Sequence, residues 1–193
     1  MLKELRATLI VMIALIAITG LAYPFAATGL AQTLFPHQAA GSLIEKNGQV
    51  IGSELIGQNF TDPGYFWGRP SATSGTPYNA ASSGGSNLAP SAQTLVDGVA
   101  GRVAAFKKAN PDEKGPIPVD LVTTSASGLD PHISPEAALV QVKRVASARH
   151  IVADDLRTLV DAVIEERSLG LVGEPAVNVL KLNLALDERW PMR

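Results

Sequence analysis

Between Ala7 and Phe35 the chain carries no charged side chain, and this constrains its fold more than any other feature. A helix rises about 1.5 Å per residue, so roughly 20 apolar residues cross a hydrocarbon core about 30 Å thick. Residues 7–31, ATLIVMIALIAITGLAYPFAATGLA, have that length. No water satisfies a bare backbone inside a bilayer, so a lone apolar segment crosses it as a helix. Everything downstream then lies on one side of a membrane. Lys3 and Arg6 precede the run, and the next lysine or arginine is Lys46. Positive charge on the N-terminal flank holds that flank in the cytoplasm. The expected organisation is a cytoplasmic N-terminus over residues 1–6, a transmembrane helix over 7–31, and a single exported domain over 32–193. The competing reading is a cleaved signal peptide ending near Gly29-Leu30-Ala31, but the apolar core of such a leader is about 7–15 residues long. Pro24 is expected near the outer interface, where a kink or a stop is tolerated.

About 160 residues remain beyond this span, enough for one domain with a real core. The whole chain has 16 lysines and arginines against 18 acidic residues, a net charge of −2. The exported part is more acidic, since Lys3, Arg6 and Glu4 stay behind. Such a surface offers no footprint for nucleic acid and no polybasic patch for anionic lipid. There is no cysteine. Disulfides, thiolate chemistry and a lipid-modified cysteine are therefore excluded, although an exported domain sits in an oxidising compartment.

Along the exported part the sequence predicts a linker over 39–41 and a hairpin turning at Asn47-Gly48, a pair suited to positive φ. Residues 61–90 are dense in Gly, Pro, Ser, Thr and Asn, yet hold Tyr65, Phe66, Trp67 and Tyr78. A long loop with embedded aromatics is either pinned to the core or used against a partner. A helix is expected over 92–109, capped by Asn87 or Ser91, with Leu95, Val96, Val99, Val103 and Phe106 on one face. Gly98 and Gly101 weaken it and leave room for a close backbone approach. Val119 to Thr124 is β-branched and short, which predicts a strand. Ser134-Pro135-Glu136 opens a helix to about Arg149. A second helix is expected from about 153 to 168, with Leu156, Leu159, Val160, Val163 and Ile164 as its stripe. A strand follows over 176–180. Leu180, Leu182, Leu184 and Leu186 either extend that strand or open a terminal helix. The fold class is α/β or α+β, a small sheet covered by helices.

No enzymatic constellation emerges. There is no G-x-S-x-G elbow, and no H-E-x-x-H or His-x-x-x-His pattern joins His37, His132 and His150. Asp130-Pro131-His132 is the densest polar cluster. Asp-oriented acid–base chemistry is conceivable there, but an Asx turn leading into the Ser134 helix is the simpler account. Ser83, Gly84, Gly85, Ser86 and Asn87 precede a helix, so their backbone N–H groups are candidates to hold a nucleotide phosphate. No G-x-x-x-x-G-K-[ST] accompanies them.

GSELIGQNF (52–60), DPGYFWGRPSA (62–72), SGGSNLAPS (83–91), PVDLVTTSASGLDPHISPEAA (118–138), QVKRVASAR (141–149) and GEPAVNVLKLNLALD (173–187) resemble the C subunit of the Kdp-type potassium-transporting P-type ATPase of bacteria and archaea. The resemblance implies a single-pass protein of the plasma (inner) membrane that is not itself an enzyme. Its implied partners are a K+-conducting channel-like subunit, a P-type ATPase subunit and a small single-helix subunit, with ATP and K+ handled by those partners and no cofactor on this chain. It implies an accessory role in ATP-driven K+ uptake, supporting assembly and sitting over the outer K+ entrance. The alternative it carries is a catalytic chaperone that raises ATP affinity, because Ser83 to Asn87 resembles an ABC-type signature. Tyr65, Trp67, Arg69 and Tyr78 are residue types enriched at interfaces and are expected to dock the domain on the channel-like subunit. Ala14, Ala17 and Gly20 allow close packing of the anchor on neighbouring helices.

Overall fold

The computed structural model describes residues 2–192. The chain divides into two compact units that meet between Ile51 and Gly52.

The first unit is dominated by a continuous helical rod, Leu2–Leu34, the one described helix long and apolar enough to cross a membrane. It comprises α1 (Leu2–Ile16), a π-helical stretch (Ala17–Ala22) and α2 (Tyr23–Leu34). Pro24 lies in the first turn of α2. Proline lacks an N–H, and its ring collides with the carbonyl four residues back in a regular helix. The wider π turn placed just before it accommodates both defects. A short helix, α3 (Pro36–Ala39), precedes the expected linker, whose Ala40 and Gly41 form a turn with Gly41 at φ +87°. The hairpin then forms as its turn chemistry requires. β1 (Leu43–Lys46) pairs with β2 (Gln49–Ser53), and Asn47 and Gly48 take φ +54° and +75°.

The second unit is an α+β domain. α4 (Gln93–Ala109) is followed by a 3-10 turn at Val119–Leu121, then β3 (His132–Ile133), α5 (Pro135–Leu139), α6 (Val142–Arg149), α7 (Ala153–Ala162), β4 (Ile164–Glu165), β5 (Ala176–Asn178) and α8 (Val179–Arg189). The sheet order is β3-β5-β4, antiparallel throughout. Val177 stands at its centre, opposite Ile133 on one side and Ile164 on the other. Phe66, Val142, Val145, Leu156, Val160, Leu182 and Leu186 are buried with it in one core.

Several local expectations are corrected. Val119–Thr124 is not a strand. β-branched composition of this kind records packing more than backbone preference. Val119 instead starts a 3-10 turn whose Thr123 hydroxyl donates back to the Val119 carbonyl at 2.7 Å. The helix expected to reach Ser168 ends at Ala162, and Ile164 joins the sheet. The helix from Ser134, capped as expected by the serine side chain on the Ala137 N–H, breaks at Val140-Gln141. There the Gln141 N–H turns to Ala138 O at 3.0 Å, and its side-chain amide takes over Ala137 O at 2.9 Å. The leucines after Asn178 are helical, started by the Asn178 side chain accepting from the Lys181 N–H at 3.1 Å.

α4 begins at Gln93 after Ala92, with no side-chain cap from Asn87 or Ser91. Of its expected inner face only Phe106 is fully buried, and Val96 is 52% exposed. Gly98 and Gly101 admit no close approach: a Cβ at Gly101 would meet nothing within 4 Å. Gly101→Ala should therefore stabilise the full chain by about 0.5–1 kcal/mol, the helix-interior cost of glycine, measured by urea unfolding in detergent.

Candidate functional site

The loop after β2 drives one side chain, Phe66, into the core of the second domain. Phe66 is fully buried, so the backbone around it must find hydrogen bonds away from water. No strand supplies them; side-chain amides do. Asn183, on α8, accepts from the Phe66 N–H at 2.9 Å and donates to its carbonyl at 3.0 Å. Gln141 treats Trp67 in the same way, accepting at 2.9 Å and donating at 3.1 Å. Arg144 donates to the carbonyls of Pro63 (2.6 Å) and Tyr65 (2.9 Å), to Gln141 Oε1 (2.6 Å) and to Asn110 Oδ1 (3.1 Å). Its guanidinium also lies over the Trp67 ring, 3.8 Å from the centroid. Burial pulls the Arg144 pKa down to about 10, still well above neutrality. Arg149, whose side chain is only 2% exposed, bonds Gly64 O (2.6 Å), Trp190 O (2.8 Å) and Asp187 Oδ1 (2.7 Å), and stacks on Tyr65.

The four residues expected to dock a partner are thus all engaged at home. Tyr65 donates to Asp187 Oδ2 at 3.0 Å, and the Trp67 indole donates to Asp62 O at 2.9 Å. Arg69 pairs with Asp130 at 3.0 Å. Tyr78 donates to Arg69 O at 2.6 Å, and burial, with Asp130 adding, pushes its pKa up to about 12. Gly57 and Gly68 are required here, since a Cβ on either would lie within 2.6 Å of Tyr78 side-chain atoms. The loop is pinned to its own domain. The helpers Gln141, Arg144, Arg149 and Asn183 escaped the sequence reading, although they stand inside QVKRVASAR and LKLNLALD.

Ser83–Asn87 is not at a helix start, because α4 begins six residues after Asn87. The Gly84 N–H donates to Ser127 O at 2.8 Å, and the Ser83 hydroxyl to the same oxygen at 3.0 Å. These groups tie the loop to the 125–128 turn.

Asp130-Pro131-His132 forms the Asx turn, Asp130 Oδ1 accepting from the His132 N–H at 3.0 Å. The His132 ring stands between Asp130 (3.7 Å) and Glu165 (3.5 Å). Lys181 joins Glu165 and Glu54 at 3.2 and 2.8 Å. Asp130 raises the His132 pKa, opposed by burial and helped by Glu165. Burial pushes the Asp130 carboxyl up, but its hydrogen bonds with His132 and Arg69 outweigh this and hold it below the usual carboxylate range. No group of three His, Asp or Glu among the described residues is disposed to hold a metal.

Fold and ties together define a class: an α+β domain borne on a single candidate membrane span, its buried polar groups spent on fixing its own central loop. Residues 5–188 match the family model described as KdpC, K+-transporting ATPase, c chain. The potassium-transporting ATPase KdpC subunit of Dechloromonas aromatica (strain RCB) is 58% identical over 183 residues, 95% of this chain and 96% of that one. Its counterpart in Methylobacterium nodulans is 57% identical over 199 residues, covering 97% and 98%. The chain belongs to the KdpC family, the c subunits of K+-transporting ATPases.

Asn183→Ala would orphan both polar groups of Phe66, at roughly 1–3 kcal/mol each, so a matching drop in urea-unfolding stability is expected. The Asp130–His132 pair sets a pH window. The raised His132 contributes fully below its unfolded value of about 6.5, and that contribution is lost as pH rises through its folded value. The lowered Asp130 contributes above about 3.9 and is lost as pH falls through its folded value. Stability should decline as pH rises above about 6.5, and His132→Asn should remove that slope.

Proposed function

We propose that this chain is a non-catalytic accessory subunit of an ATP-driven K+ uptake complex, with its domain outside the membrane over the outer K+ entrance of the channel-like subunit. The observation that carries the reading is the match to K+-transporting ATPase c chains over residues 5–188, joined to one apolar span with Lys3 and Arg6 on its N-terminal side. That charge bias favours residues 1–6 in the cytoplasm and residues 32–193 on the outside of a bacterial or archaeal plasma membrane. ATP hydrolysis and K+ conduction then belong to the P-type subunit and the channel-like subunit, with a small single-helix subunit completing the complex. The loop bearing Tyr65, Trp67, Arg69 and Tyr78 meets the channel-like subunit as a preformed surface, because its side chains are already held by Asp187, Arg144, Asp130 and the Arg69 carbonyl. Preorganisation of this kind lowers the entropy lost on docking.

The catalytic-chaperone alternative needs the domain in the cytoplasm and free N–H groups at Ser83–Asn87. The Gly84 N–H is already bonded to Ser127 O, which does not favour it. Protease added to intact spheroplasts should digest the domain from outside, and a tagged chain should co-purify with a P-type ATPase subunit. Full protection until the membrane is opened would overturn the placement.

A further inference from the structure

The β4–β5 hairpin extends past the sheet into a narrow tip. Ser168 and Val172 form a bridge, with reciprocal N–H to carbonyl bonds of 2.9 and 3.0 Å. The Leu171 N–H donates to Ser168 O at 3.2 Å and closes a tight turn whose central residues, Leu169 and Gly170, take φ +55° and +72°. Lower in the stem, Arg167 and Glu174 form an ion pair.

A turn with two positive φ values favours Asn-Gly or Asp-Gly. Leucine is poorly suited to its first central place, because its Cβ crowds the following carbonyl there. Leu169 is also 95% exposed, with Leu171 at 83% and Val172 at 66%. Turn chemistry and solvation both ask for a polar residue at 169, and no contact within the domain rewards an aliphatic one. Three adjacent exposed aliphatic side chains on a hydrogen-bonded turn have the form of a rigid anchor, the kind of group that fills an apolar pocket at the centre of an interface.

We propose that Ser168–Val172 is a docking finger that seats Leu169 and Leu171 in an apolar, basic-rimmed socket on another subunit of the K+ transporter. This rests on the accessory-subunit reading. The collar of the finger decides the occupant. Glu165, Glu166 and Glu174 lie along its stem with Glu54 beside them, and they outnumber the lysine and arginine they meet: Arg167 pairs with Glu174, and Lys181 with Glu165 and Glu54. An acidic collar is repelled by anionic lipid, whose ligands carry Lys and Arg beside their apolar residues. It complements a protein surface rimmed with basic side chains.

The chain has no cysteine, so Leu169→Cys gives a unique site for an environment-sensitive fluorophore on the full-length protein. In the assembled complex the label should shift to the blue, and its quenching by iodide should fall several-fold. In vesicles of zwitterionic and anionic lipid holding this chain alone, it should stay water-like. Water-like emission in the complex overturns the finger. A blue shift in vesicles without partners overturns it in favour of a lipid surface. Leu169→Asn restores the preferred turn pair, so the full chain should melt at the same temperature or higher while its recovery with the transporter falls several-fold. Undiminished recovery overturns the proposal. Recovery of the unaltered chain is the control: its absence overturns the accessory-subunit reading, whereas a tip without effect overturns only the finger.

Discussion

The domain depends on satisfying a backbone that has no strand beside it. Phe66 lies in the core, its N–H and carbonyl are met by Asn183, those of Trp67 by Gln141, and the carbonyls of Pro63 and Tyr65 by Arg144. A buried amide left unpaired costs free energy comparable to a lost hydrogen bond. Two side-chain amides, each giving and receiving one bond, mimic the neighbouring strands that the loop lacks. Other features follow from this need. Helix α5 ends early so that the Gln141 side chain can reach both Trp67 and the carbonyl its own N–H has left. Arg144 is tolerated in the interior because four acceptors and an aromatic face surround it.

These ties also answer how a cysteine-free chain secures a long irregular loop. A disulfide restricts the unfolded chain. The ties made here act on the folded state only, and they are short-range and geometric. Arg149 joins Gly64, Trp190 and Asp187 in one grip, so the loop and the last turn of the chain are fastened by the same guanidinium. The planar fork of arginine suits such multiple acceptance in a way lysine does not.

Much of the fold was legible where its cause is local. Asn47-Gly48 specified a hairpin, Ser134-Pro135 a helix start, and the apolar run from Ala7 a long helix. The stripe Leu156, Leu159, Val160 placed α7 correctly because helical spacing is a short-range signal. What failed was decided at a distance. Val163 and Ile164 fit a helical stripe, but β5 needed a partner and took the second of them. Val119–Thr124 had strand composition, yet its first residues close into a 3-10 turn. The amide ties were invisible because Gln141 and Asn183 look like ordinary polar helix residues, and their partners lie 74 and 117 residues away. The site residues were found by type: Tyr65, Trp67 and Tyr78 stood out as aromatics, and only the structure revealed what holds them.

The π-helical stretch ahead of Pro24 does more than relieve a proline. A wider turn holds more residues, so everything beyond Ala22 is rotated in azimuth relative to an ideal helix begun at Leu2. Counting by three and four from Ala14 through Ala17 traces one side of the rod and then loses it. The rod therefore presents two angular sectors rather than one continuous seam, and its two halves are free to address different surroundings.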